Sequence, residues 1–104
     1  MSSGDFLSVK DVNETILVGI SFASIMGAET ANSVVWSIET MPGFAVDATP
    51  GAVLTGSNQN GDAPIFKHYV TGGVDGALYK LKCTIVTNGG RTLVGTAYLP
   101  VRAV

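Results

Sequence analysis

The sequence has one cysteine, one histidine, few charges, no cluster of Lys or Arg and no long apolar run. Each shortage excludes something. Cys83 has no second cysteine to pair with inside the chain, so an intrachain disulfide framework is excluded. The same count excludes a metal site built from Cys and His. Charged residues are 13% of the 104, against roughly 25% in an ordinary soluble domain. Hydrophobic residues are 46%, so the chain folds, and its surface is expected to be largely uncharged. With 6 basic and 8 acidic side chains the net charge is −2, and no basic stripe is present to release counterions from DNA or RNA. Nucleic acid is therefore not an expected partner. The longest uncharged run, 15–28, contains Gly19 and Gly27 and is shorter than the roughly 20 apolar residues that cross a bilayer. Asp5, Asp11 and Glu14 against Lys10 also give its flank the wrong sign for the n-region of a signal peptide. Neither a membrane span nor a secretory leader is expected.

Helix spacing is missing too: no window carries an unbroken i, i+3, i+4, i+7 apolar pattern with caps. Short runs rich in Val, Ile, Thr, Tyr and Phe recur instead, separated by Gly, Asn, Asp, Ser and Pro, as in all-β sandwiches. The clearest is the hairpin near the end. Tyr79, Leu81, Cys83 and Ile85 alternate with Lys80, Lys82 and Thr84, and Thr87-Asn88-Gly89-Gly90 supplies a turn. The return strand, 91–102, shows Leu93, Gly95, Ala97, Leu99 and Val101 on one face. Pro100, which has no amide proton, predicts a sheet edge or an exit there. Upstream, 15–22 and 34–38 read as strands facing one core, 44–48 and 52–55 as short runs, 56–62 as a polar loop and 66–71 as a further strand. Trp36 as a buried cross-sheet residue and Tyr79 as a corner tyrosine predict an immunoglobulin-like antiparallel β-sandwich of about seven strands. The domain is expected over 11–104, with 1–10 as a flexible N-terminal arm. The predicted structural core is Trp36, Tyr79, Leu81, Cys83 and Ile85.

Chemistry finds no constellation. His68 lies in a strand with no carboxylate or nucleophile at a motif spacing, and reads as an ordinary strand residue. Cys83 falls on the apolar face, where burial keeps a thiol protonated and inert. Ser3 and Ser57 sit in no nucleophile signature. Asn58-Gln59-Asn60-Gly61-Asp62 imitates part of a calcium loop but lacks the closing acid, and Gly72-Gly73-Val74-Asp75-Gly76 lacks the Lys-Ser/Thr and helix of a phosphate loop. Asn13-Glu14-Thr15 is a sequon that matters only in a secretory pathway. No enzyme, cofactor or metal is expected.

Several blocks, read in order, carry a resemblance. They are Asp11-Val12-Asn13-Glu14, Ile20-Ser21-Phe22, Ser33-Val34-Val35-Trp36-Ser37-Ile38, and Val70-Thr71-Gly72-Gly73 with Gly76, Tyr79 and Leu81. Ile85-Val86-Thr87-Asn88-Gly89-Gly90-Arg91-Thr92 and Leu99-Pro100-Val101-Arg102 complete them. Together they resemble a family of small structural proteins of tailed bacteriophages and prophages, of the fiber-tail adaptor or head-tail type. Members commonly show Asp-Pro near the start and Asp-Trp in the first strand, where this chain has Asp11-Val12 and Ser21-Phe22. The resemblance implies an immunoglobulin-like virion component, assembled in the host bacterial cytoplasm, that binds tail, connector or capsid proteins and forms homo-oligomers in the particle. A capsid decoration protein and a free-standing carbohydrate-binding sandwich are the alternatives. The second would need outward aromatics, and alternation turns most of the eight inward. Phe6 and Leu7, apolar in a polar arm, are the candidate interface residues, because an arm can add a strand to a neighbour's sheet edge.

Overall fold

Val, Ile, Thr and aromatic side chains suit a pleated, half-buried surface, and alternation sends every second one to the same side. In a computed structural model, which describes residues 5–7, 9–27, 29–62 and 65–103, that pattern produces eight strands; for Asp5, Phe6, Ala23, Ser24 and 56–62 only the backbone is described. The strands are β1 (Asp5–Phe6), β2 (Lys10–Asp11), β3 (Thr15–Ser21), β4 (Ala31–Thr40), β5 (Leu54–Asp62), β6 (Ile65–Thr71), β7 (Leu78–Thr87) and β8 (Thr92–Arg102). A helical turn, α1 (Ala23–Met26), follows β3, and a 3-10 turn, Pro50–Val53, precedes β5.

The strands form two sheets. In one, β1 and β2 run parallel to β8, which pairs antiparallel with β7, which pairs antiparallel with β4. In the other, β6 lies between β3 and β5, antiparallel to both. Packed face to face these make a β-sandwich. The order β3-β6-β5 against β8-β7-β4 is the strand order of an immunoglobulin-type sandwich, with the leading strands on the β8 edge.

Four local expectations change. Residues 44–48 form no strand, and of 52–55 the first two belong to the 3-10 turn and the last two open β5. The stretch 56–62, expected as a loop, continues β5, held by backbone pairing to β6 at Asn58↔His68, Gln59↔Lys67 and Asp62↔Ile65. An edge strand needs partners on one side only, and shifts of register on either side of Asn58 and Gln59 accommodate poor strand formers. Pro100, expected at a sheet edge, lies inside one, with β7 on one side of β8 and the leading strands on the other. The leading segment is what breaks: Phe6 pairs with Tyr98 and Lys10 with Val101, leaving a gap beside Pro100, which has no N–H to donate.

The interior is built in rows. Trp36 of β4, Cys83 of β7 and Gly95 of β8 are register partners on the inner face, stepping from the largest side chain to none. The opposite sheet uses that slope. His68 of β6 meets Trp36 with ring centroids 5.7 Å apart, and a Cβ on Gly95 would lie 2.6 Å from Ile20 and 2.9 Å from Phe22. Phe22 in turn packs edge-on against Phe66, at 5.6 Å and 75°. Around this row lies one cluster of Ile20, Phe22, Met26, Phe66, Cys83, Ile85 and Ala97; a second gathers Val18, Val53, Val70, Tyr79, Leu81, Leu99 and Val101. Trp36 and Leu7 pack against both.

Tyr79 closes the corner between β6 and β7. Its hydroxyl accepts the Val74 N–H at 2.8 Å and donates to Asp47 Oδ2 at 2.8 Å. Gly73, at φ +105°, lies under the ring; a Cβ there would approach the Val101 methyls to 3.2 Å. Burial pushes the Tyr79 hydroxyl up to about 12, and Asp47 adds to the rise against the Val74 hydrogen bond. Burial alone pushes the Cys83 thiol up to about 12.

Two outcomes follow from this interior. Gly95→Ala, which must displace Ile20 or Phe22, is expected to cost about 1–3 kcal/mol in denaturant unfolding. Gly51→Ala, in open space, is expected to be neutral or slightly stabilising; equal effects would contradict the packing. The second concerns alkali. Above pH 9.0, the ordinary value for a thiol, the unfolded chain gives up the Cys83 proton while the folded chain keeps it to about 12. Stability then falls by about 1.4 kcal/mol per pH unit from this group. Tyr79 adds its own loss from 10.0 upward. Urea unfolding at successive pH values should show a shallower alkaline decline in Cys83→Ala than in the parent, and parallel curves would disprove the assignment.

Candidate docking surface

Three of the groups that could perform chemistry, His68, Cys83 and Lys10, lie in the interior. His68 is buried, with Nδ1 on the Tyr69 carbonyl at 2.9 Å and the ring against Trp36. Cys83 is fully buried beside that pair. Lys10, which no local pattern marks for the interior, is fully buried too. Its ammonium donates to the carbonyls of Asp11 and Gly72, both at 2.7 Å. Burial lowers its pKa, and the nearby Glu14 and Asp11 carboxylates oppose the change. Among the described residues no three His, Cys, Asp or Glu side chains could hold a metal ion. No described helix is long and apolar enough to cross a membrane.

The residue blocks singled out in the sequence are pieces of scaffold. Asp11-Val12-Asn13-Glu14 is a turn: Asn13 N–H donates to Asp11 Oδ1 at 2.7 Å and Asp11 N–H to Glu14 Oε1 at 2.8 Å. In the β7–β8 hairpin, Thr87 N–H donates to the Arg91 carbonyl at 2.8 Å and Gly90 N–H to the Thr87 carbonyl at 3.0 Å. Arg91 ties this hairpin to the end of α1. Its guanidinium pairs with the Glu29 carboxylate and donates to the Ile25 carbonyl at 2.8 Å. Asn88 and Thr30 exchange hydrogen bonds beside it.

Of the core residues named from the sequence, Tyr79, Leu81, Cys83 and Ile85 are fully buried and share the inner face of β7. Trp36 is half-buried at the seam of the two clusters. Its indole Nε1 is buried with no hydrogen-bond partner among the described residues. Leu7, read as a residue for docking onto a neighbour, is half-buried against its own chain's two clusters, and its N–H donates to the Tyr98 carbonyl at 2.8 Å. Phe6 pairs through its backbone with Tyr98, and its side chain lies outside the described residues. So do Ser3 and the side chains of Ser57 and of 58–62, the stretch compared with a calcium loop.

What faces outward is apolar β surface. On the three-stranded sheet, Leu17 and Tyr69 are register partners 42% and 38% exposed, with Ile65 41% exposed on the same face. Gly19 and its partner Lys67 lie between these two rows. On the five-stranded sheet the outward row of β4 is Ser33, Val35, Ser37 and Glu39, facing Val86, Thr84, Lys82 and Lys80 of β7. Val35 is 60% exposed. A separate apolar groove is lined by Phe44, Leu78, Pro100 and Val101. Among the described residues, the exposed aromatics are Phe44, at the groove, and Tyr69, on the three-stranded sheet. The sequence reading missed Leu17, Ile65 and Tyr69 as a patch. The available signal was β3 itself, apolar at both parities over Ile16, Leu17, Val18 and Ile20.

No curated protein matches the chain. A family model described as podophage GP4 fiber-tail adaptor protein gp77 matches residues 10–100. The matched span opens on buried Lys10, closes on Pro100, and takes in the turn, the Tyr79 corner, the Arg91 hairpin, the three-stranded sheet and the five-stranded sheet without β1 and the last two residues of β8. Since the match covers far more than half of the chain, the chain belongs to the podophage GP4 fiber-tail adaptor protein gp77 family of phage structural proteins.

Proposed function

We infer that this chain is a non-enzymatic component of the virion that joins neighbouring structural proteins, fiber to tail, through its outer β surfaces. It is made and assembled in the host bacterial cytoplasm, uses no cofactor, and meets tail or connector proteins and further copies of itself. One observation carries the reading: His68, Cys83 and Lys10 are turned into the interior, while Leu17, Ile65, Tyr69 and Val35 are left outside. Catalysis needs titratable groups that reach a substrate, whereas docking needs apolar or uncharged surface that loses little on leaving water. A surface with few charges also imposes little desolvation cost at an interface.

Mass spectrometry of purified particles tests this. The chain is expected at a fixed ratio to the tail proteins, and particles made without its gene are expected to assemble tails that carry no fibers. Its absence from particles, or fibers attached normally without it, would overturn the inference.

A further inference from the structure

A sheet edge exposes a row of backbone N–H and C=O groups that can template another strand, and natural proteins blunt such edges. Among the described residues, this sandwich blunts all but one. The β1/β2 edge is two short pieces with a gap beside Pro100. On the β5 edge the register shifts twice. The β4 edge has a shift between Ala31 and Ser33, carries Glu39, and has the Pro50–Val53 turn packed on its strand. β3 has none of these devices. It pairs with β6 without a break from Thr15↔Thr71 to Ser21↔Ile65, contains no proline and no charge, and has no strand on its other side among the described residues.

We propose that the β3 edge pairs with β3 of a second copy, antiparallel about a two-fold axis at Val18, joining the two three-stranded sheets into one. The proposal rests on the assembly role inferred above and names its surface. The sequence of β3 is self-complementary in that register. Ile16 meets Ile20 on the inner face, Thr15 meets Ser21 on the outer face, and Leu17 meets Gly19. A Cβ on Gly19 would have Ile65 and Lys67 side-chain atoms nearest it, each at 3.4 Å, and the Phe66 carbonyl at 3.8 Å. The glycine is therefore a notch walled by those two, open to a partner's Leu17. Charge is compatible as well. β3 itself has none, and Lys67, on the next strand, would lie about 16 Å from its mate, three strand spacings across and two residues along, beyond the roughly 10 Å Debye length at 0.1 M salt. Each copy covers part of the apolar row Leu17, Ile65 and Tyr69 that is exposed in one chain alone. Such a contact is isologous and closes on itself.

Light scattering of the full chain over a concentration series, from low micromolar towards millimolar, should show the mass doubling. Leu17→Lys places a charge at an exposed position; it should fold with an unchanged melting temperature and weaken the dimer by roughly tenfold or more. Mixing Leu17→Cys chains with Gly19→Cys chains under mild oxidation should give a cross-linked heterodimer that neither variant gives alone, since Cys83 is buried. A monomer at every concentration, a dimer indifferent to Leu17→Lys, or no mixed cross-link would overturn the proposal. So would a monomer whose Leu17→Lys form no longer enters particles, which would assign the edge to a strand of another tail protein. A dimer sensitive to Leu17→Lys in a chain absent from particles would leave this pairing standing and remove the adaptor role.

Discussion

The Tyr79 hydroxyl is the point on which the arrangement of the two sheets depends. A tyrosine ring can be buried only where its oxygen finds partners, and this one accepts the Val74 N–H and donates to Asp47. Those two bonds tie the β6–β7 connection and the loop after β4 to the middle strand of the larger sheet. Lys10 works on the same corner from the other side, its ammonium on the Gly72 carbonyl. The point at which the chain leaves one sheet and enters the other is thereby held from three directions: by β7, by the loop carrying Asp47, and by the leading segment. Val101 and Tyr79 crowd Gly73, and its φ of +105° strains any residue with a side chain at the centre of the knot.

This way of building the core uses up the residues that other proteins spend on reactions. The lone histidine fills the space over Trp36, the lone cysteine is the small step between Trp36 and Gly95, and one of the few lysines caps carbonyls inside. With 13% charged residues to begin with, burying Lys10 leaves the exterior still less polar. The two properties have one cause: a small sandwich that draws polar residues inward to satisfy its corner has fewer to cover its faces, and valines, leucines and tyrosines fill the difference.

Much of this was legible in the sequence because alternation is a local signal. The inner faces of β7 and β8, the hairpin between them, and Tyr79 as a corner residue all follow from residues next to one another in the chain. What was not legible depends on distant partners. Nothing near 56–62 marks it as a strand, because its pairing comes from β6 and its residues are poor strand formers. Lys10 reads as an exposed charge until the Gly72 carbonyl is brought to it from 62 residues away. Leu7 reads as an outward apolar residue in a polar arm, yet two core clusters assembled from later strands receive it. The outer patch was hidden for a related reason. Ile16, Val18 and Ile20 account for β3 as a strand, and Leu17 gains meaning only beside Tyr69 of β6.

The edges bear on how a protein could bind a neighbour without run-on aggregation. Two sheets have more than one end, and an open strand at each end would let copies add indefinitely. Among the described residues, the β1/β2 gap, the shifts in β5 and the turn packed on β4 blunt every end but β3. If that last edge is satisfied by its own mate across a two-fold axis, growth stops at a pair, because each copy has consumed its one template. The outer faces of the larger sheet, carrying Val35 and Val86, are then free to meet other proteins in a fixed geometry set by the pair. A contact of this kind is limited by symmetry rather than by weakness, which is the property an adaptor between two different structures requires.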